Sequence, residues 1–194
     1  MKASPMSRIA IPDVPLDSLP AQWAEAEKTG ALVNIFRIML RSPQIATLVV
    51  DLGAAQFGSG SLPPEDRELS ILTTASCTHS AYEASQHEQI SQSVGVTSSQ
   101  RAAVAVGQWD SPELSESQQA LVAFIAAVQA SPTVPDAVFD AVQRHYSDQQ
   151  IVETVILTGY YFMLARLSTV FGIPQDPQSG DTVLRAGVSL NANR

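Results

Sequence analysis

Cysteine is almost absent from this chain of 194 residues. Cys77 stands alone, so no disulfide can close within the chain and no CxxC redox or zinc pair exists. Charge is scarce too, at 15% of residues, and cations are the scarcer sign: 11 Lys and Arg face 19 Asp and Glu, for a net charge of −8. That balance excludes the broad basic face of a nucleic-acid binder and the polybasic patch drawn to anionic lipid. An anionic substrate would need a local cationic group, because the global field repels it. Long apolar runs are missing as well. The longest uncharged one covers 154–165 between Glu153 and Arg166, short of the ~20 residues that span a bilayer. Met1 to Ser7 has no apolar h-region, so no secretory signal is expected and a cytoplasmic, soluble protein is. Gly53, Gly58 and Gly60 form neither a dinucleotide fingerprint nor a P-loop. There is no Gly-x-Ser-x-Gly elbow, no convincing alternating strand and no hairpin dipeptide.

What is present is helix punctuation. Residues 1–17 carry Pro5, Pro12 and Pro15 without a helical period and are expected to form an extended arm. Ser18 and Pro20 can open a helix that ends at Gly30. Short helices are expected at Leu32–Leu40 and from Pro43 to the glycines at 58 and 60. Pro63 and Pro64 start another, with Glu65 and Asp66 in its dipole-favoured first turn. A break is expected near Cys77–Ser80, then a helix from Ala81 to Val94 ended by Gly95. Thr97-Ser98-Ser99-Gln100, Ser115-Glu116-Ser117-Gln118 and Ser147-Asp148-Gln149-Gln150 are capping boxes that precede apolar runs. Gly172 and Pro174 stop the last of these. The expectation is one all-α domain over 18–174 and a polar tail over 175–194.

Four residues stand out: Glu68, Tyr82, Glu83 and His87. Glu68 lies in Arg67-Glu68-Leu69-Ser70-Ile71-Leu72, where an ionisable group is costly to bury without a partner. If it points inward, desolvation raises its pKa and makes it a proton donor; if outward, it pairs with Arg67 or solvent. Glu83 and His87 are four apart and share a helix face. Glu83 can orient His87 by accepting its ring N–H, can be the acid itself, or can form an ordinary surface pair. His87 is a proton carrier or a solvated histidine. Tyr82 is a phenol donor or a core aromatic. Arg67 and Arg37 are possible carboxylate clamps. Cys77 is a small buried hydrophobe or, beside His79, an activated thiol. His79, Glu83 and His87 stand at four-residue spacing, but a break near Ser80 scatters them, so no metal is expected. Asp66–Ala75 and Asp148–Leu157 echo each other weakly, each with a glutamate, Glu68 or Glu153, among aliphatics.

The pattern Arg67-Glu68-Leu69-x-Ile71-Leu72, then Tyr82-Glu83-x-x-x-His87, then Gly95-Val96 resembles the carboxymuconolactone decarboxylase family, which includes the alkylhydroperoxidase D-like proteins. Asn34-Ile35-Phe36-Arg37, Ser42-Pro43 and Glu153-Thr154-Val155-x-x-x-Gly159-Tyr160-Tyr161 extend the likeness over about residues 30–170. The resemblance implies an all-α bundle of about eight to nine helices that assembles as a homo-oligomer (dimer, trimer or hexamer). The peroxidase branch needs two cysteines where this chain has Ser80 and Glu83, so the resemblance lies with the branch keeping Glu, Tyr-Glu and His. That branch implies decarboxylation or related proton transfer without metal or organic cofactor, in part in secondary metabolism. The expected function is a cofactor-independent lyase or isomerase acting on a small carboxylated or enolisable ring or polyketide-like molecule. Glu68, Tyr82, Glu83 and His87 would be catalytic, and Arg67, Arg37, Ser80 and Cys77 would bind substrate. The alternatives are a thiol peroxidase using Cys77 and a non-catalytic binding or scaffold protein.

Overall fold

The computed structural model describes residues 7–13, 15, 19, 21–28 and 32–176. Among them every regular element is a helix: α1 (Ala21–Lys28), α2 (Asn34–Met39), α3 (Pro43–Gly58), α4 (Pro64–Thr78), α5 (Ala81–Ser93), α6 (Ser98–Ala105), α7 (Glu116–Ala130), α8 (Asp136–Gln143) and α9 (Asp148–Phe171). The all-α expectation is borne out. The tail at 177–194, the first six residues of the arm, and Ser18, Pro20 and Gly30 lie outside the described residues. Residues 7–13 and 15 contain no helix.

The chain divides into two compact units, one of residues 1–59 with 167–194, the other of residues 60–166. In the first, Trp23, Ala26, Leu32, Ala46 and Val50 form the core, and Trp23 meets Phe36 edge-on with centroids 6.4 Å apart. Arg8 N–H donates to the Phe171 carbonyl at 2.7 Å. In the second unit α4 is central and packs on α5, α6 and α7. Leu69 and Ile71 are completely enclosed, and Leu69 joins Val96, Val104, Leu114 and Val122 in one cluster. Glu65 and Asp66 in the first turn of α4 keep partial exposure, whereas Arg67 and Glu68 are carried inside with Leu69.

Capping decides where these helices stop and start. Pro64 occupies the first turn of α4 beside Glu65 and Asp66. The helix ends at His79, whose φ of 54° and ψ of 36° are left-handed. Ser80 then caps α5, its hydroxyl accepting from Glu83 N–H at 3.3 Å. Gly95, at φ 107°, supplies a turn that an L side chain resists. Thr97–Gln100 and Ser115–Gln118 both form complete capping boxes, and Ser147 and Gln150 exchange the same pair of bonds. Thr97→Ala is expected to cost about 1 kcal/mol in urea denaturation, with unchanged slope.

Two of the capping glutamines do further service. Gln118 Nε2 donates to Glu65 Oε1 at 2.9 Å, and Gln100 Nε2 donates to Gln118 Oε1 at 3.1 Å. Tyr146 OH donates to Asp66 Oδ2 at 3.0 Å. The N-terminal turn of α4 is thereby tied to α6, α7 and the segment before α9. Helix α8 was not anticipated. Pro135 opens it, and Phe139 packs edge-on against Phe124 at 6.2 Å, while Val142 is buried. Ala137, Val138, Phe139, Ala141 and Val142 give it an apolar face, but it makes only about two turns and no capping box announces it. Among the described residues α9 is the one helix long and apolar enough to cross a membrane by length and composition. Of its apolar window, 44% is buried inside the protein.

Candidate active site

Glu68 points inward. It is fully enclosed on α4, and His87 on α5 is 5% exposed. His87 Nδ1 and Glu68 Oε2 are 2.8 Å apart, in an ion pair when the imidazole is charged. A carboxylate holding Nδ1–H fixes the ring and leaves Nε2 as the nitrogen that exchanges protons. Tyr161 of α9 stands edge-on to the imidazole with centroids 5.0 Å apart, and Tyr160 stands edge-on to Tyr161 at 5.3 Å. Arg67, also buried, sets its Nε 3.9 Å from Glu68 Oε1.

Glu83 occupies the place next to this pair and is 3% exposed. Burial pushes its carboxyl up to about 7, against the opposing field of His87. Burial alone would pull His87 down, but the charge and hydrogen bond of Glu68 and the charge of Glu83 together lift it above its usual value. Tyr161 is raised well above its ordinary range by burial first and then by Glu68, Tyr160 and Glu83. It therefore stays a neutral phenol at working pH. Burial also raises Tyr160, with Glu83 adding to it.

The charges in this cluster balance. With His87 protonated and Glu83 ionised, Arg67 and His87 offset Glu68 and Glu83. With the proton on Glu83 instead, Arg67 offsets Glu68. Moving one proton between Glu83 and His87 leaves the buried site neutral either way, and such coupled groups titrate as a pair. This is the arrangement general acid–base chemistry needs near neutral pH. Glu83 Oε1 and Glu68 Oε1 have no hydrogen-bond partner among the described residues, an arrangement costing about 1–3 kcal/mol for each group.

The structure revises the sequence reading at several residues. The residue that orients His87 is Glu68, not Glu83. The carboxyl that burial raises toward neutrality is Glu83, whereas Glu68 is engaged by the imidazole. The phenol on the imidazole is Tyr161; Tyr82 is buried one residue before Glu83. Arg37 lies in the other unit, where it binds Glu27 and the Leu32 carbonyl, so it is committed within the protein. Cys77 is half-buried, and burial pushes its thiol up, opposite to activation. Ser80 is buried at the α5 cap. The helical echo is structural only, because Glu153 lies at the surface and accepts from Ser61 N–H and Oγ at 2.7 and 2.8 Å. Tyr160 and Tyr161 were missed as site residues. Their signal was an aromatic pair inside the most apolar stretch, where a core role is the ordinary explanation.

Solved structures share this fold. An uncharacterized peroxidase-related protein with an alkylhydroperoxidase AhpD core, from Ralstonia eutropha JMP134, is 22% identical over 96% of this chain and 99% of its own, with a TM-score of 0.77. An uncharacterized peroxidase-related protein from Silicibacter sp. TM1040 is 16% identical over 88% and 93%, with a TM-score of 0.73. A variant of the debrominase Bmp8 in complex with 2,3,4-tribromopyrrole is 19% identical over 85% and 86%, with a TM-score of 0.68. No curated protein matches the chain. The fold is thus that of the alkylhydroperoxidase D-like proteins. Residues 43–127, the segment that carries Glu68, Glu83 and His87, match the model of the Carboxymuconolactone decarboxylase family.

Proposed function

We propose that the protein is a cofactor-independent lyase or isomerase that moves protons on a small enolisable or carboxylated ring compound. The carrying observation is the buried Glu68–His87 pair at 2.8 Å beside a Glu83 carboxyl raised to about 7. Glu68 holds Nδ1 and supports the imidazolium. His87 Nε2 takes a proton from carbon or returns one. Glu83 stores the proton between the two events. In a decarboxylation, the C–C bond to the carboxylate breaks, CO2 leaves, and its electron pair forms an enolate. A phenol O–H from Tyr161 or Tyr82 stabilises the enolate oxygen, and the imidazolium protonates the carbon. The likeness to a debrominase crystallised with a brominated pyrrole supports a small ring as the substrate class. The cytoplasm is the location that goes with this reading.

The test is deuterium incorporation from D2O, or CO2 release, across β-keto acids and lactone acids. Exchange that depends on His87 supports the reading. Equal exchange by wild type and His87→Ala refutes it. The thiol reading makes the opposite demand, hydroperoxide consumption abolished by Cys77→Ser, and the raised thiol disfavours it.

The proposed enzyme assembles with a second copy of itself through α9. Val152, Val155, Ile156, Phe162 and Met163 are exposed at helical spacing. Gly159, at the middle of that stripe, has open space where a Cβ would stand, which permits close helix approach. Val155→Glu with Phe162→Glu is expected to reduce the mass in light scattering to that of one chain. An unchanged mass would place any interface elsewhere.

A further inference from the structure

Where α4 ends, α5 begins and α6 passes, a hollow of about 220 Å³ opens to solvent. It equals roughly seven water volumes at about 30 Å³ each. Ala84 and Ala105 line it together with Ser76, Ser80, His79 and Arg101. It is a different place from the proton-transfer cluster. Ser80, the cap of α5, and Ala84 line it, whereas none of Glu68, Glu83 and His87 does.

Two features mark the hollow. The first is Arg101. Its Nη1 donates to the Val96 carbonyl, and among the described residues it has no carboxylate partner. In a chain of net charge −8, a guanidinium beside a small apolar cavity is the local cation that an organic anion would need. The second is His79. Its φ of 54° is a conformation in which glycine is the default. Histidine is among the few other residues tolerated there. His79 closes α4 in that conformation and also lines the hollow. The positive end of the α5 dipole adds to the same field.

We infer that this hollow binds a small organic carboxylate, with Arg101 and His79 on the carboxylate and the alanines around a short hydrocarbon body. The size of the cavity and its alanine walls favour a carboxylate with an apolar body over inorganic phosphate. The inference stands apart from the proposed proton-transfer chemistry and is tested by binding, so the two can fail separately.

The experiment is a titration of ¹⁵N-labelled protein with butyrate, butyramide and inorganic phosphate. Butyrate is expected to give saturable amide shifts at Ser76, Ser80, Ala84 and Ala105. Butyramide and phosphate should bind at least about tenfold more weakly. Arg101→Gln should weaken butyrate about tenfold, with partial recovery in Arg101→Lys. Ala105→Leu fills the space without touching a charge and should remove binding. His79→Gly should weaken butyrate while raising Tm, the signature of a strained residue kept for a ligand. Equal binding of butyrate and butyramide, phosphate as tight as butyrate, unchanged affinity in Arg101→Gln and Ala105→Leu, or no saturable shift up to the solubility limit would each overturn the assignment.

Discussion

Glu68→Gln is expected to lower turnover by roughly 10²–10⁴-fold, on whichever acid the exchange assay selects, with little change in KM. The amide keeps the shape of the carboxylate that sits 2.8 Å from Nδ1 but not its charge. Two consequences follow. Nδ1 no longer has a carboxylate to hold its proton, so the ring can adopt the tautomer in which Nε2 carries the proton and cannot act as base. The imidazolium also loses its charge partner, so the His87 midpoint falls from its raised position. The effect should therefore appear in kcat and as a downward shift of the limb in the pH–rate profile that reports His87. Glu68→Ala carries a stability cost besides, of about 3–5 kcal/mol, because it leaves the other charges of a buried cluster uncompensated. Thermal melts of the two variants separate the effects. A Glu68→Gln enzyme with normal kcat would remove the residue from the chemistry.

Glu83→Gln is expected to change the pH dependence of stability more than stability at any one pH. The Glu83 carboxyl is raised in the folded protein from 4.5 to about 7. Its protonated form is therefore favoured by folding. The stability this provides is fully present below pH 4.5 and is lost as pH rises through about 7. The difference amounts to about 3 kcal/mol. His87, also raised, contributes in the same direction: its stabilisation is present below 6.5 and is lost as pH passes its folded value. Denaturation midpoints of the wild type should thus decline between about pH 5 and pH 8. Glu83→Gln should match it near the acid end of that range and exceed it at the alkaline end, leaving a shallower decline that belongs to His87. Parallel curves for the two proteins would show that Glu83 ionises freely.

Much of this architecture was legible because helix ends are local. Thr97, Ser115 and Ser147 announced three helices through reciprocal bonds with residues three positions on, and those bonds are present. The break at His79–Ser80 was legible for the same reason. The burial of Glu68 was half legible: a carboxylate among Leu69, Ile71 and Leu72 must either turn outward or find a partner. Which partner it finds was not. Sequence spacing offered Glu83 to His87, four apart on one helix, whereas the pairing actually made spans 19 residues between two helices. Such pairings depend on how α4 and α5 cross, and no local pattern encodes that. Tyr161 shows the same limit, since an aromatic residue in α9 reads as core until the fold sets it against the imidazole. Arg101 was passed over because one arginine in a short helix looks like any surface arginine. The hollow it borders is made by three separate helix segments.

The most direct test of proton transfer through His87 is ¹⁵N NMR of its imidazole as a function of pH. The expected tautomer carries its proton on Nδ1, bonded to Glu68. The expected midpoint lies above 6.5, drops in Glu68→Gln and moves again in Glu83→Gln. A neutral ring protonated at Nε2, titrating at an ordinary midpoint and indifferent to both substitutions, would contradict this assignment.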